Sequence, residues 1–221
     1  MRPTCIRSEG NVPACLWRML RFPNECITVR FKMITCFHDI GLGKKIDWRI
    51  SPDKFEAYIK LMSLTPKKNI EIHFDDARIG VYKYAYPLLK DLIEIEKFRP
   101  VIFVVTNWID RFQIPEHEKY SEFLTWRQLQ ELHQAGFEIG SHTKSHQNLC
   151  MLSSEIITEE LEISKKIIEN NIGCIVSKLS YPYGDCNLEI VRIAAEHYKS
   201  AFQLKRFPER GNWTLQRSLF L

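Results

Sequence analysis

Two short stretches hold residues able to do chemistry together. GSHTKSHQNL (140–149) carries two histidines four apart, His142 and His146, directly after an apolar run. IHFDDARIG (72–80) carries two adjacent aspartates, Asp75 and Asp76, again after an apolar run. Neighbouring ionised carboxylates repel each other and need a nearby cation to offset the repulsion. Two imidazoles and one carboxylate around a divalent ion, with one position left for water, form a hydrolytic metal site. The histidine pair alone would equally suit a polar turn; the carboxylates move the reading toward metal. The zinc-protease signature does not fit, because Thr143 rather than a glutamate follows His142.

From residue 27 onward, short β-rich runs alternate with helical patterns. Strands are expected over 27–37, 69–74, 100–105, 137–141, 174–181, 200–204 and 214–221. Helices are expected over 51–64, 82–95, 125–136, 153–173 and 188–198. Ser51 and Pro52 suit the start of the first helix, Pro87 limits the first part of the second, and Gly136 and Gly173 suit helix ends. Repeated β–α units predict a parallel sheet with helices outside it. About seven strands fit a closed or nearly closed barrel, with an open doubly wound sheet as the alternative. Either architecture puts functional groups at the carboxyl ends of the strands. The polar residues obey that rule: His38 and Asp39 in CFHDIG, the two aspartates, the two histidines, and Tyr183 and Asp185 in YPYGD each follow a predicted strand.

The bulk numbers fit one globular domain. The chain has 221 residues, 45% hydrophobic and 26% charged, and no apolar run nears the roughly 18 residues of a membrane span. Seven cysteines, odd in number, irregularly spaced and without a Cys-x-x-Cys, argue against a disulfide framework and against a cysteine zinc site. Reduced thiols in a cytoplasmic protein are the simpler expectation. The net charge of +4 resides wholly in residues 1–32, and the remainder is neutral. That arm could tether nucleic acid, but the expectation is a poorly ordered extension over 1–26, no nucleic-acid partner, and a catalytic domain over 27–221. MRPTCIRSEGNVPACLWRML lacks the apolar core and small-residue cleavage site of a signal peptide.

FDDARIG, GSHTKSHQNL and LSYPYGD, in this order, together with TWRQLQELHQAGFEIGSHTKSH, resemble the polysaccharide deacetylases of carbohydrate esterase family 4 over roughly residues 33–220. The resemblance implies a distorted (β/α) barrel and metal-dependent removal of N-acetyl groups from an amino sugar in a carbohydrate substrate. It implies that Asp75 is the catalytic base, that Asp76, His142 and His146 hold a divalent ion, expected to be zinc, and that the Tyr183 N–H is an oxyanion donor. The family's acid is a histidine near the end of the domain, and none follows here. CFHDIG stands before the aspartates instead, as in the circularly permuted exopolysaccharide-deacetylase branch, which assigns the acid to His38.

This chain departs from the family pattern in four places. His73 and Ala77 replace Thr and Gly of the aspartate motif, and Cys36 replaces the Leu of the acid motif. Ser180 stands where the family has an arginine that orients the base; Arg217, on the last predicted strand, is the candidate substitute. Trp108, Tyr181 and Trp213 are candidates for stacking on a sugar, and 106–123 is the one long insertion able to act as a lid. Hydrolysis of a small cyclic amide, or sugar binding without catalysis, are the alternative functions.

Overall fold

The computed structural model describes residues 34–42, 49–66, 70–118, 121–205 and 215–220. The extension expected over 1–26, and most of the strand expected over 27–37, lie outside the described residues. What remains of that strand is β1 (Thr35–Phe37), followed by a small pair, β2 (Asp39–Ile40) and β3 (Arg49–Ile50). The chain then alternates: α1 (Pro52–Ser63), β4 (Ile70–Phe74), α2 (Tyr86–Glu94), β5 (Phe98–Val104), α3 (Trp126–Gln134), β6 (Glu138–Ser141), α4 (Ser154–Ile172), β7 (Lys178–Ser180), α5 (Leu188–His197), β8 (Ser200–Lys205) and β9 (Leu215–Phe220).

Six strands run parallel in the order β1-β4-β5-β6-β7-β8. The expectation of about seven parallel strands therefore needs correction, because β9 runs antiparallel to both β8 and β1 and closes the ring. The reason lies in the connection. A parallel return needs a crossover of about a dozen residues or more, and only 206–214 separate β8 from β9. The strand expected over 174–181 also shrinks, to β7. A π-helical turn over Val81–Ala85 precedes α2, so Pro87 falls in the first turn of α2, where its missing N–H costs little.

Parallel strands covered on both faces must be apolar on both, and two cores result. The outer one packs Ile72, Phe74, Ile102, Val104, Ile139 and Leu179 beneath the helices. The inner one, inside the ring, holds Ile34, Val101, Phe103 and Phe202 among the described side chains. Successive side chains of β4 alternate between the two, so Glu71 and His73 point inward although all five residues of β4 are buried. The His73 ring packs edge-on against Phe103 and Phe202, and its Nε2 lies 2.7 Å from Glu71 Oε1. Lys178 donates to Glu71 (3.3 Å) and to Glu138 (2.6 Å).

Helix ends are set locally. Thr125 and Gln128 form a capping box at the start of α3, and Gly173 ends α4 in the left-handed conformation (φ 77°). A buried relay of hydroxyls, Ser141 to Ser164 (2.7 Å) with the Tyr198 hydroxyl donating to the Leu161 carbonyl (2.7 Å), fixes β6 against α4 and α5. Among the described residues no helix is long and apolar enough to cross a membrane.

Removing the ammonium that bridges buried Glu71 and half-exposed Glu138 should be costly. Lys178→Met is expected to lose about 1.5–3 kcal/mol in urea denaturation.

Candidate active site

Asp75 and Asp76 leave β4 at its carboxyl end, and both are buried. The Asp75 N–H donates to the Phe37 carbonyl (2.9 Å), which continues the sheet by one residue. The chain then turns sharply, with Asp76 (φ 69°) and Ala77 (φ 53°) both left-handed. Ala77 thus adopts the conformation a glycine would take more easily. Its carbonyl accepts from Leu124 N (2.9 Å), and Ile79 N donates to the Glu122 carbonyl (3.0 Å), so the far end of the 106–123 segment is stitched to this turn.

The two histidines follow β6 in a loop, not on a helix: Thr143 (φ 67°) and His146 (φ 61°) are both left-handed. Buried Glu160 on α4 holds this loop. Its carboxylate accepts from Lys144 N (3.0 Å), Ser145 N (2.9 Å) and Ser145 Oγ (2.6 Å). Thr143 Oγ1 accepts from His146 N (3.1 Å), and His142 N donates to the Val104 carbonyl (2.8 Å). The spacing of four therefore arises from a double reversal of the backbone.

Asp76, His142 and His146 converge, with one potential ligand atom from each lying within 4.8 Å of the others. Asp76 Oδ1 is 3.6 Å from His142 Nε2 and 3.7 Å from His146 Nε2. It is buried and has no hydrogen-bond partner, as an oxygen reserved for a cation would be. His142 Nδ1 lies 2.8 Å from the Ser180 carbonyl, which can only accept, so Nδ1 is the donor there and Nε2 is the ring nitrogen that faces Asp76. Burial, with His142 close by, pushes His146 down to about 4, so this ring is neutral near pH 7. Burial would raise the Asp76 carboxyl, but Arg78 above all, then His38 and the two other histidines, bring it below the usual carboxylate range. The donor set fits a divalent metal such as zinc.

His38 brings its Nε2 to 4.0 Å from Asp75 Oδ2, the same distance as His142 Nε2 from that oxygen. Asp39 is buried and bound to Arg49 Nε (2.6 Å). Ser180 donates to Asp75 Oδ2 (3.3 Å) from the position where the family carries arginine. Arg217 stands on β9 opposite Leu204, and its side chain lies outside the described residues. Tyr183 has a left-handed backbone (φ 61°) and an exposed ring 4.9 Å from that of His146. Gly184, next in the turn, is also left-handed (φ 74°), and a Cβ there would meet Leu204 backbone and Cβ at 2.8–2.9 Å.

Of the stacking candidates, Trp108 packs against the His146 ring (centroids 4.9 Å apart), Tyr181 is fully buried, and Trp213 lies outside the described residues. A cavity of about 360 Å³ opens beside His146, walled by Trp108, Pro115, His117, Met151, Leu152 and Tyr183. The 106–123 segment is not a free flap, since Thr106, Asn107, Trp108, Ile109, Glu118 and Phe123 are all buried. Sequence reading missed Arg78, Glu118 and Glu160. Arg78 was legible as a charge two residues after Asp76 in a motif bound to be buried; Glu118 and Glu160 had no local signal.

Two outcomes follow from this geometry. Crowding against β8 costs about 1–3 kcal/mol and a left-handed Cβ about 1–2 kcal/mol, so Gly184→Ala should visibly lower the melting temperature. The His146 pKa, about 4 when folded against 6.5 as a free group, means the unfolded chain binds more protons between these values. Melting of the metal-free protein should therefore fall as pH drops through that window, and His146→Ala should flatten the dependence.

Known proteins align with this arrangement. Residues 63–200 match the polysaccharide deacetylase family. YxkH of Bacillus subtilis is 29% identical over 198 residues, covering 80% of this chain and 64% of its own length. The poly-beta-1,6-N-acetyl-D-glucosamine N-deacetylase of Staphylococcus aureus is 26% identical over 167 residues, 70% of this chain and 55% of the relative. The chain thus spans somewhat over half the length of these two relatives. Among solved structures, Streptococcus pyogenes deacetylase PplD superposes with a TM-score of 0.64 at 24% identity, covering 76% of this chain and 80% of that one. IcaB from Ammonifex degensii gives 0.62 at 19%, covering 78% and 84%; at these identities both speak for the fold. With more than half of its length matched by the family model and the ring of strands in place, the chain belongs to the polysaccharide deacetylase family.

Proposed function

We propose that this chain is a metal-dependent N-deacetylase that releases acetate from an N-acetylglucosamine-type oligo- or polysaccharide. The observation that carries the reading is the position of Asp75. Its Oδ2 lies 4.0 Å from His142 Nε2 in the ligand cluster and 4.0 Å from His38 Nε2 outside it. A carboxylate close both to a candidate metal cluster and to an imidazole outside that cluster suits a base and an acid serving one hydrolysis.

Asp76, His142 and His146 would hold the ion, which supplies a Lewis acid and makes water acidic enough to react near neutral pH. Asp75 removes the proton from the attacking water as its oxygen bonds to the acetyl carbonyl carbon. The Tyr183 N–H donates to the oxygen on which negative charge develops; such a donor contributes about 3–4 kcal/mol. His38 delivers a proton to the nitrogen as the C–N bond breaks, because an unprotonated amide nitrogen is a poor leaving group. Acetate and a free amine result. Ser180, by donating to Asp75, takes over part of the orienting work of the missing arginine; Arg217 is assigned the rest. The cavity beside His146, with Trp108 and the exposed Tyr183 ring at its walls, offers room and aromatic surface for a neighbouring sugar.

The test pairs metal content with acetate release from poly-β-1,6- and β-1,4-linked N-acetylglucosamine oligomers. One metal per chain and acetate release are expected, with both lost in His142→Ala. Asp75→Asn should keep the metal and lose about 10²–10⁴-fold in turnover; undiminished turnover would remove Asp75 from the mechanism. Metal without acetate from any sugar would favour hydrolysis of a small amide.

A further inference from the structure

We propose that Arg78 is a positioning residue for Asp76, holding this carboxylate to one-oxygen coordination, and that Glu118 of the 106–123 segment holds Arg78 in place. The inference rests on the metal reading above. Arg78 is almost completely buried, and its guanidinium is shared by two carboxylates. Nε donates to Asp76 Oδ2 (3.2 Å), while Nη1 and Nη2 donate to Glu118 Oε2 (3.0 Å) and Oε1 (2.7 Å). Ser121 Oγ also donates to Glu118 Oε2, and the guanidinium carbon lies 5.2 Å above the Phe123 ring. The Arg78 backbone bridges to Phe123.

The division of labour between the Asp76 oxygens is the core of the argument. Oδ1 faces both imidazoles, and Oδ2 faces the guanidinium. A carboxylate is free to offer a cation one oxygen or both. With a cation already bound to Oδ2, turning that oxygen toward the metal would break a charge-assisted bond inside the protein. Glu118 matters because a guanidinium held on one side only could swing. Its bidentate pairing fixes the plane of the fork, and so the direction from which Nε approaches Asp76. The pairing also neutralises the guanidinium, so the buried cation near the ligand cluster does not simply oppose a dication. Through this relay the 106–123 segment, which also supplies Trp108 to the cavity beside His146, is joined to a candidate metal ligand.

Lysine keeps the charge but lacks the fork, so Arg78→Lys isolates positioning from charge. Zn²⁺ affinity is measured by competition with a chromophoric chelator, and the visible spectrum of the Co²⁺ form reports coordination number, since band intensity falls as that number rises. Glu118→Gln is run alongside as the milder change, and circular dichroism checks that each variant folds. The expected result is a folded Arg78→Lys protein binding Zn²⁺ about 10–100-fold more weakly, with weaker Co²⁺ bands, and Glu118→Gln shifted the same way. If the parent binds Zn²⁺ and folded variants bind within about twofold of it with an unchanged Co²⁺ spectrum, Arg78 merely ties down the segment and the proposal is overturned. If Arg78→Lys fails to fold, Glu118→Gln decides between these results with the same readouts. A parent chain that binds no Zn²⁺ would overturn the metal reading itself, and this inference with it.

Discussion

Two adjacent carboxylates taken out of water at the end of one strand set the terms for everything around them. Asp75 and Asp76 are both buried, and burying ionised carboxylates is costly unless charge and hydrogen bonds are returned to them. Each neighbouring element returns some. The loop after β6 brings two imidazoles, Ser180 at the end of β7 brings a hydroxyl, the position after β1 brings the His38 ring, and the turn itself brings Arg78. The parallel sheet makes this convergence possible, because it aligns the carboxyl ends of β1, β4, β6 and β7 on one rim. The fold serves the carboxylates as much as they serve the chemistry.

Strain gathers at the same rim. Of the eight non-glycine residues with left-handed backbone among the described residues, five belong to the site motifs: Asp76, Ala77, Thr143, His146 and Tyr183. Such conformations cost about 1–3 kcal/mol each and persist only where the surroundings over-determine them. Here the over-determination is visible, in the three bonds accepted by Glu160 and in the stitching of Ala77 and Ile79 to residues 122–124. A side chain on a left-handed residue is aimed differently from one on a regular strand, and that is how His146 reaches the same oxygen as His142.

Much of this was legible beforehand because it depended on local pattern. The helix starting after Thr125 and the one ending at Gly173 carried their own caps, and the aspartate and histidine motifs announced themselves by following apolar runs. Three things were hidden because they depended on distant partners. The direction of β9 follows from a connection too short for a crossover, and seven strands read in order looked like seven of a kind. The partner of Asp39 was hidden because Arg49, ten residues on, meets it only once β2 and β3 pair. Glu118 lies in a segment with no regular pattern, forty residues from the guanidinium it binds. Long-range electrostatic partners leave no periodic trace in a sequence.

The strand that closes the ring has a consequence for how the chain reaches its native state. Each parallel neighbour joins after one β–α unit, but Thr35 pairs with Gln216 across nearly the whole described chain. Contacts of such sequence separation bear the largest loop-closure entropy and reward it last. The six parallel strands can thus condense in sequence as an open, curved sheet, with β1 and β8 as unsatisfied edges. β9 covers the β8 edge across a short connection, and its long-range pairing with β1 then removes the last edge in a late step. Until then the nascent molecule exposes strand edges of the kind that seek partners in other chains, so the window for misassembly is set by the arrival of one short antiparallel strand.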